Sequence, residues 1–343
     1  MKILIIGGTK FLGRHLIASA QGSGHEVTLF NRGRHSTENF ASVEQLHGDR
    51  HSDLDKLSGR AWDAVIDTCG YLPQSVEASA EALKDAVNQY VFISSISAYA
   101  SYANPDFDET APVAELNEEQ QKRAAEIDSK GELTGAVLGE MYGGLKVLCE
   151  REAEKAMPGR VLQVRSGLIV GSFDPTDRFT YWVMRVARGG EILAPGTANR
   201  FVQLIDARDL SDWIVKMVEE NETGIYNVTG KPFELTMRAM LEEIKNVSAS
   251  DARFTWASEE FLNRENVAPW GDMPLYLSES VEELKGFLAA NVDKALQTGL
   301  AFRPLSETIE DTLSWRKTKT GELKAGIDSE REKELLRKWR EQR

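Results

Sequence analysis

Short apolar runs rich in β-branched residues recur through the first half of the chain, and each is followed by a longer stretch with helical spacing. Ile3 to Ile6 ends in Gly7-Gly8, after which Phe11, Leu12 and Leu16 recur at helical intervals, so the pattern predicts strand, glycine turn and helix. Val27 to Phe30 predicts a second strand ending in Asn31-Arg32-Gly33-Arg34, and a third is expected near Val43 to His47, before Gly48-Asp49. Ala64 to Asp67 predicts the fourth, leading into a helix with Val76, Ala80, Leu83 and Val87 on one stripe. Tyr90 to Ile93 reads as a fifth buried strand ending in Ser94-Ser95. A helix is expected from about Leu138 to Ala156, stopped by Met157-Pro158-Gly159, and Val161 to Val164 is a sixth strand ending at Arg165-Ser166-Gly167. Strands alternating with helices at this spacing imply an α/β fold with a doubly wound parallel sheet covered on both faces.

Between about Ala100 and Val137 the pattern breaks into a polar, acidic stretch. A break of that length either lies over a site or is a solvated surface insertion. The end of the chain, from Asp328, reads as a charged helix with Ser329 and Glu332 in a capping box and an apolar stripe of Leu335, Leu336 and Trp339. That stripe would dock on the body or on another subunit.

Composition narrows the classes. The chain has 343 residues, 41% of them hydrophobic, enough for a sizeable core. Its net charge of −13 repels phosphate backbones, so nucleic acid is not an expected partner. The two cysteines, Cys69 and Cys149, form no disulfide framework or Cys-rich metal site. No apolar run approaches membrane-spanning length, and the protein is expected to be cytoplasmic and not membrane-bound. All five histidines fall within the first 51 residues; His47 and His51 have i,i+4 spacing but lack the glutamate of a zincin motif, and no metal site is expected.

Four groups carry candidate chemistry. Gly7-Gly8-Thr9-Lys10-Phe11-Leu12-Gly13 stands between a strand and a helix, where glycines let the backbone approach a pyrophosphate at the helix N-terminus. The same glycines also suit a tight turn in another α/β protein. After the second strand, Asn31 stands where NAD-specific folds place an acidic residue, and Arg32, Arg34 and Lys10 supply positive charge for a 2′-phosphate or are simply exposed charges. Tyr142 and Lys146 are i,i+4 on a helix, so phenol and ammonium share a face, and a neighbouring ammonium favours phenolate in proton transfer. The pair Gly143-Gly144 between them is costly in a helix and implies a close approach to the backbone. Ser94-Ser95 follows the fifth strand, at the carboxyl edge where open sheets bind ligands, although a serine there equally caps a turn. Asp174, Asp177 and Arg178 either touch substrate or form a capping cluster.

With these features in this order, residues 1 to about 315 resemble the extended short-chain dehydrogenase/reductases, the NAD-dependent epimerase/dehydratase group. The resemblance also draws on Tyr99, on Arg165 to Gly171, on Ala207-Arg208-Asp209-Leu210, on Tyr226 to Gly230 and on the Gly299 to Trp315 segment. It implies a Rossmann-type domain from 1–171 and about 202–230. A smaller discontinuous substrate domain follows from about 172–201 and 231–315, with 316–343 as the helical tail. Carried over, Tyr142 is the proton donor and acceptor, Lys146 binds the nicotinamide ribose, and Ser95 holds the reacting oxygen of the substrate. The cofactor is expected to meet Gly7, Thr9, Lys10, Phe11, Leu12, Gly13, Asn31, Arg32, Asp49, Arg50, Gly70, Lys146 and Ser166, with Asp49 at the adenine and Gly70 lining the groove. Lys10 replaces a middle loop glycine and Ser166 a common proline. Val202 and Gln203 stand where sugar-nucleotide enzymes often carry Arg-Asp, with Arg200 displaced. The expected function is NADP(H)-dependent hydride transfer, with NADP(H) favoured over NAD(H), on a small carbonyl or hydroxyl substrate. The alternatives are an NAD(P)-dependent epimerase or dehydratase of a sugar nucleotide or similar metabolite, and a nucleotide-sensing or RNA-associated binding protein. The last follows from the resemblance of Gly7 to Gly13 to the chloroplast stem-loop-binding relatives. A homodimer is the expected assembly.

Overall fold

The computed structural model describes residues 1–34, 40, 43–127 and 133–342; His35 and part of the acidic stretch lie outside them. Seven strands, β1 (Lys2–Ile6), β2 (Glu26–Asn31), β3 (Glu44–His47), β4 (Trp62–Asp67), β5 (Val87–Ser95), β6 (Val161–Ser166) and β7 (Gly224–Val228), form one sheet. All are parallel, in the order β7-β6-β5-β4-β1-β2-β3. The order reverses at β1, which pairs with β2 on one side and β4 on the other, so a crevice opens beyond the carboxyl ends of these strands. Side chains alternate across the sheet: Ile3 and Ile5 enter one core, Leu4 and Ile6 the other. Helices α1 (Phe11–Gly22) and α5 (Ala207–Glu219) cover the first face, and α2 (Pro73–Leu83) and α3 (Tyr142–Ala156) the second.

The expected stripe through Val87 ends one step earlier. Helix α2 stops at Leu83, and Val87 opens β5 opposite Trp62, because a short turn from Leu83 to Ala86 returns the chain to the sheet. The helix expected from Leu138 is broken too: Gly139, at φ +54°, ends a short helix, Gly135–Leu138, and α3 begins only at Tyr142.

In the acidic stretch, Glu118–Ala125 is a helix started by a capping box of Asn117 and Gln120. The chain before it is pinned at both ends of a loop: Tyr99 bridges Val113, while Tyr102, Asp106 and Phe107 bond the backbone of Gly286, Ala289 and Asn291. A second core lies beyond the sheet, built on α4 (Arg178–Ala187) and on the parallel pair Glu191–Pro195 with Arg253–Ala257. No helix among the described residues is long and apolar enough to cross a membrane.

The final helix, α6 (Ser329–Glu341), is capped differently from expectation. Asp328 accepts the amides of Glu330 and Arg331, whereas Glu332 is drawn inward to Arg185 Nε at 2.6 Å and the Leu193 amide at 3.2 Å. A buried guanidinium needs a countercharge more than a helix end needs a second cap. Leu335 and Leu336 join the second core and Trp339 packs on Phe261 at 5.0 Å, so the stripe docks on its own chain. Glu332→Ala should cost about 3–5 kcal/mol by leaving Arg185 buried and unpaired. Ser329→Ala should change stability by no more than ~0.5 kcal/mol, since Asp328 remains as cap. Equilibrium chemical denaturation of the two variants checks both values.

Candidate cofactor groove and catalytic pair

The groove starts at the turn from β1 into α1. Gly7 and Gly8 have φ of +91° and +76°, conformations that glycine adopts without strain. A Cβ at Gly13 would stand 2.3 Å from the Gly8 Cα, so the first turn of α1 presses against the loop only because Gly13 has none. Lys10 stands at the N-cap with φ −110° and ψ 172°, an extended backbone that any residue adopts, which explains why the missing middle glycine is tolerated. It provides no side-chain cap, so among the described residues the amides of Phe11, Leu12 and Gly13 have neither helical nor capping partners, as at an anion-binding helix N-terminus. The Gly7 and Gly8 amides are taken by Phe30 O and Thr68 Oγ1, which keeps the loop shut against β2 and β4. The side chains of Thr9 and Leu12 are buried. Arg14, one residue past the motif, braces the loop through Nε to Thr9 O and lies over the rings of Phe40 and Phe173.

At the end of β2, the Asn31 carboxamide accepts the Gly33 amide at 2.8 Å, and its Nδ2 is buried without a partner. An orphaned donor there fits a ligand oxygen. Burial lowers the His51 pKa, and Arg32 adds to that lowering, so Arg32 stands within electrostatic reach of the Asp49–His51 turn. Asp49 itself is held in that turn, accepting the His51 amide at 3.0 Å. These features, with the uncapped helix and the glycine cradle, fit a dinucleotide.

Arg50 departs from its expected place. Its guanidinium turns inward and meets Asp67 at 2.9 and 2.7 Å, Ser75 O at 2.9 Å and Ser79 Oγ at 2.9 Å. Its side chain therefore has no face on the groove, because the Asp67 carboxylate, wholly buried at the end of β4, requires it. Burial by itself would raise the Asp67 carboxyl, but the Arg50 charge together with the hydrogen bonds from Arg50, Tyr90 and the Cys69 amide holds Asp67 below the usual carboxylate range. Ser166 is also turned into the sheet, donating to Ser94 O at 3.1 Å.

The catalytic candidates sit where β5 meets α3. Ser95 Oγ accepts the Ser97 amide at 3.1 Å, which caps the short turn Ile96–Ala98 and leaves the hydroxyl proton to be donated. A Cβ at Gly143 would fall 2.0 Å from Ser97 O, and one at Gly144 would strike Leu116 at 2.5 Å. What approaches the paired glycines is therefore protein: they let the start of α3 press against the Ser95 turn. Lys146, buried at 4% exposure, donates to Gly70 O at 2.8 Å and Ile93 O at 2.7 Å, which leaves one of its three N–H bonds. Its Nζ lies 5.8 Å from the Tyr142 ring centroid and 4.9 Å from that of Tyr71. The Tyr142 hydroxyl makes no hydrogen bond among the described residues, and its ring is 6.5 Å from Tyr71. Glycine loop, Thr68 to Gly70, Lys146 and Tyr142 are thus linked in series: Gly8 N to Thr68 Oγ1, Gly70 O to Lys146 Nζ, and Lys146 Nζ to the Tyr142 ring.

Helix α3 is locked by a pair the motifs did not flag. Glu150 accepts Arg165 Nε and Nη2 at 3.0 and 2.7 Å and the Ser94 hydroxyl at 2.5 Å, all buried. Its i+4 relation to Lys146 was the available signal. Beyond β6, Asp177 directly precedes α4 with φ +58° and provides no side-chain cap. Asp174 Oδ1 accepts both the amide and hydroxyl of Thr176, Oδ2 has no partner, and burial pushes the carboxyl up to about 6.

The model of the NAD dependent epimerase/dehydratase family matches residues 3–229. The chain belongs to that family. It is of the extended short-chain dehydrogenase/reductase type. Its fold is shared with a candidate epimerase of Burkholderia cenocepacia (18% identity, TM-score 0.67, 93% of this chain and 98% of that one). It is shared as well with the UDP-Glc/GlcNAc 4-epimerase of Campylobacter jejuni (17%, TM-score 0.64, 93% and 99%). A human epimerase family protein solved with NADPH is similar too (16%, TM-score 0.58, 92% and 99%). In sequence, the chain is 26% identical over 255 residues to the chloroplast stem-loop binding protein of 41 kDa b of Arabidopsis thaliana, covering 68% of this chain and 59% of that protein.

Asp174 yields a pH-dependent prediction. A carboxyl whose folded pKa is raised binds its proton more tightly when folded, so its contribution to stability falls as pH rises from about 4 through 6. Asp174→Asn keeps an Oδ1 acceptor for Thr176 and cannot ionise. Its Tm should exceed that of the parent at pH 8, and the gain should shrink as pH is lowered through 6 towards 4 in parallel thermal melts.

Proposed function

We propose that the protein is an NADP(H)-dependent oxidoreductase that moves hydride to or from a small carbonyl or hydroxyl substrate. The observation that carries this reading is the series of contacts at the carboxyl edge of the sheet that links the glycine turn before α1, through Thr68 and Gly70, to Lys146 and Tyr142. The dinucleotide supplies or accepts the hydride when bound. The amides of Phe11, Leu12 and Gly13 would hold its pyrophosphate, Asn31 Nδ2 and Arg32 the adenosine ribose and a 2′-phosphate, and Asp49 the adenine. Lys146 uses its remaining N–H on the nicotinamide ribose. Ser95 donates its hydroxyl proton to the reacting oxygen of the substrate and orients it. Tyr142 gives its phenolic proton to that oxygen as the carbon is reduced, and takes it back in the oxidative direction.

The second reading, an epimerase or dehydratase that retains its nucleotide, draws on the family assignment. A sugar-nucleotide substrate has less support. Arg200 lies over Tyr276 and donates to Leu277 O, and Gln203 is bound to Gly230 O and Ala290. Neither presents a cation to a diphosphate. RNA binding, after the name of the Arabidopsis thaliana relative, is disfavoured by the net charge of −13.

Calorimetry with NADPH and NADH tests the cofactor. NADPH should bind more tightly, and Arg32→Ala should weaken it about tenfold, the worth of one charge-assisted contact, while leaving NADH nearly unchanged. Nucleotide that co-purifies, with no net change in NAD(P)H absorbance on turnover, would favour the epimerase reading instead. For the chemistry, Tyr142→Phe should cut turnover about 10²–10⁴-fold at unchanged nucleotide affinity. Retained turnover would remove Tyr142 from the proton-transfer step.

A further inference from the structure

The deeply buried arginines of this chain are matched by carboxylates: Arg50 by Asp67, Arg165 by Glu150, Arg185 by Glu332. Half-buried Arg178 is different. It opens α4 and lies with its guanidinium carbon 4.9 Å from the Trp270 centroid. Among the described residues it donates no hydrogen bond and has no carboxylate within ion-pair distance. Burial lowers its pKa, the sign of a positive charge short of compensation, and the groups whose charge reaches it are Asp174 and Tyr142.

Asp174 does not supply the missing partner. Its side chain is 3% exposed, Oδ1 is occupied by Thr176 at 2.8 and 2.7 Å, and Oδ2 is buried and unpartnered. The arginine is instead held by aromatics: Trp270 packs on Phe287 at 5.8 Å, and Phe287 on Tyr102 of the acidic stretch at 4.8 Å. A guanidinium carried on a ring face keeps its in-plane N–H groups open, and these form the fork that takes a carboxylate or phosphate in two parallel bonds. In a chain of net charge −13, a cation with no ion-pair partner among the described residues, within electrostatic reach of Tyr142, is a selective place for an anion.

We propose that Arg178 is the anion receptor of the substrate site, so that the molecule whose oxygen meets Tyr142 carries a carboxylate or phosphate group. This rests on the reading of Tyr142 as the proton-transfer residue, and it makes the substrate an anionic hydroxy or oxo compound. Arg178 determines specificity and takes no part in the hydride step.

The test titrates inorganic phosphate and, separately, malonate into the 343-residue chain saturated with NADPH, so that the pyrophosphate site is already filled. Calorimetry is run on the parent, Arg178→Ala and Arg178→Lys, after nucleotide binding has been measured for each. The parent should bind one of the two anions. Arg178→Ala should weaken that binding about tenfold or more, and Arg178→Lys, which keeps charge but loses the fork, should fall between them, with NADPH affinity unchanged throughout. The anion preferred separates a phosphate ester from a carboxylic acid as the substrate class. Equal anion affinity in parent and Arg178→Ala, or none in the parent, overturns the proposal while leaving the cofactor reading intact. Failure of the parent to bind either nucleotide overturns the cofactor reading. The anion titration on the nucleotide-free chain then decides the role of Arg178 by the same comparison.

Discussion

At the end of β4 one wholly buried carboxylate, Asp67, gathers the parts from which the groove is made. It accepts two bonds from Arg50, one from the Tyr90 hydroxyl and one from the Cys69 amide. Arg50 extends the network to Ser75 and Ser79 on α2. Charges in a low-dielectric interior are tolerated only when nearly every polar atom is matched, so the pair dictates where its neighbours lie. One of them is the turn from Asp67 to Gly70, whose carbonyl receives Lys146. The arginine beside Asp49 and the lysine beside Tyr142 are thereby joined through one buried ion pair.

The same logic sets α3 at the other side of the crevice. Glu150, Arg165 and Ser94 close a second buried network between the helix and strands β5 and β6. Gly143 and Gly144 allow the helix start to come within touching distance of Ser97 and Leu116. A substituted position would push Tyr142 away from the turn that Ser95 caps. Rigidity of the site therefore comes from backbone contact and charge matching below it, and the groups at the surface of the groove, Tyr142 and the helix amides, stay open for ligands.

The second core supplies what the sheet cannot. Its elements come from residues distant in sequence: α4, the Glu191–Pro195 strand, the segment through Trp270 and Phe287, and α6, fastened by Glu332 to Arg185. Tyr102 and Phe107 in the acidic stretch pack against Phe287 and each other, so that stretch is tied down over the edge of the sheet. The result is an aromatic wall with Arg178 set in it.

The doubly wound sheet, the glycine turn and the Tyr142–Lys146 pair are legible in the chain alone, because each is a local pattern. Alternating strand and helix periods need no distant partner to be recognised, and i,i+4 spacing places two side chains on one face wherever the helix lies. Element ends were less legible: Val87 continues the helical stripe of α2 in spacing but is claimed by pairing with Trp62. What charged residues do once buried depends on contacts that form when the chain folds. Arg50 follows Asp49 and reads as a groove residue, yet it turns inward because Asp67, at a sequence separation of 17, must be neutralised. Glu332 reads as a helix cap and becomes the partner of Arg185, 147 residues away. Trp270 and Arg178 meet with no signal of spacing at all. Local periodicity is written into consecutive residues, whereas the matching of buried charge is a property of three-dimensional proximity and appears only when the chain has closed.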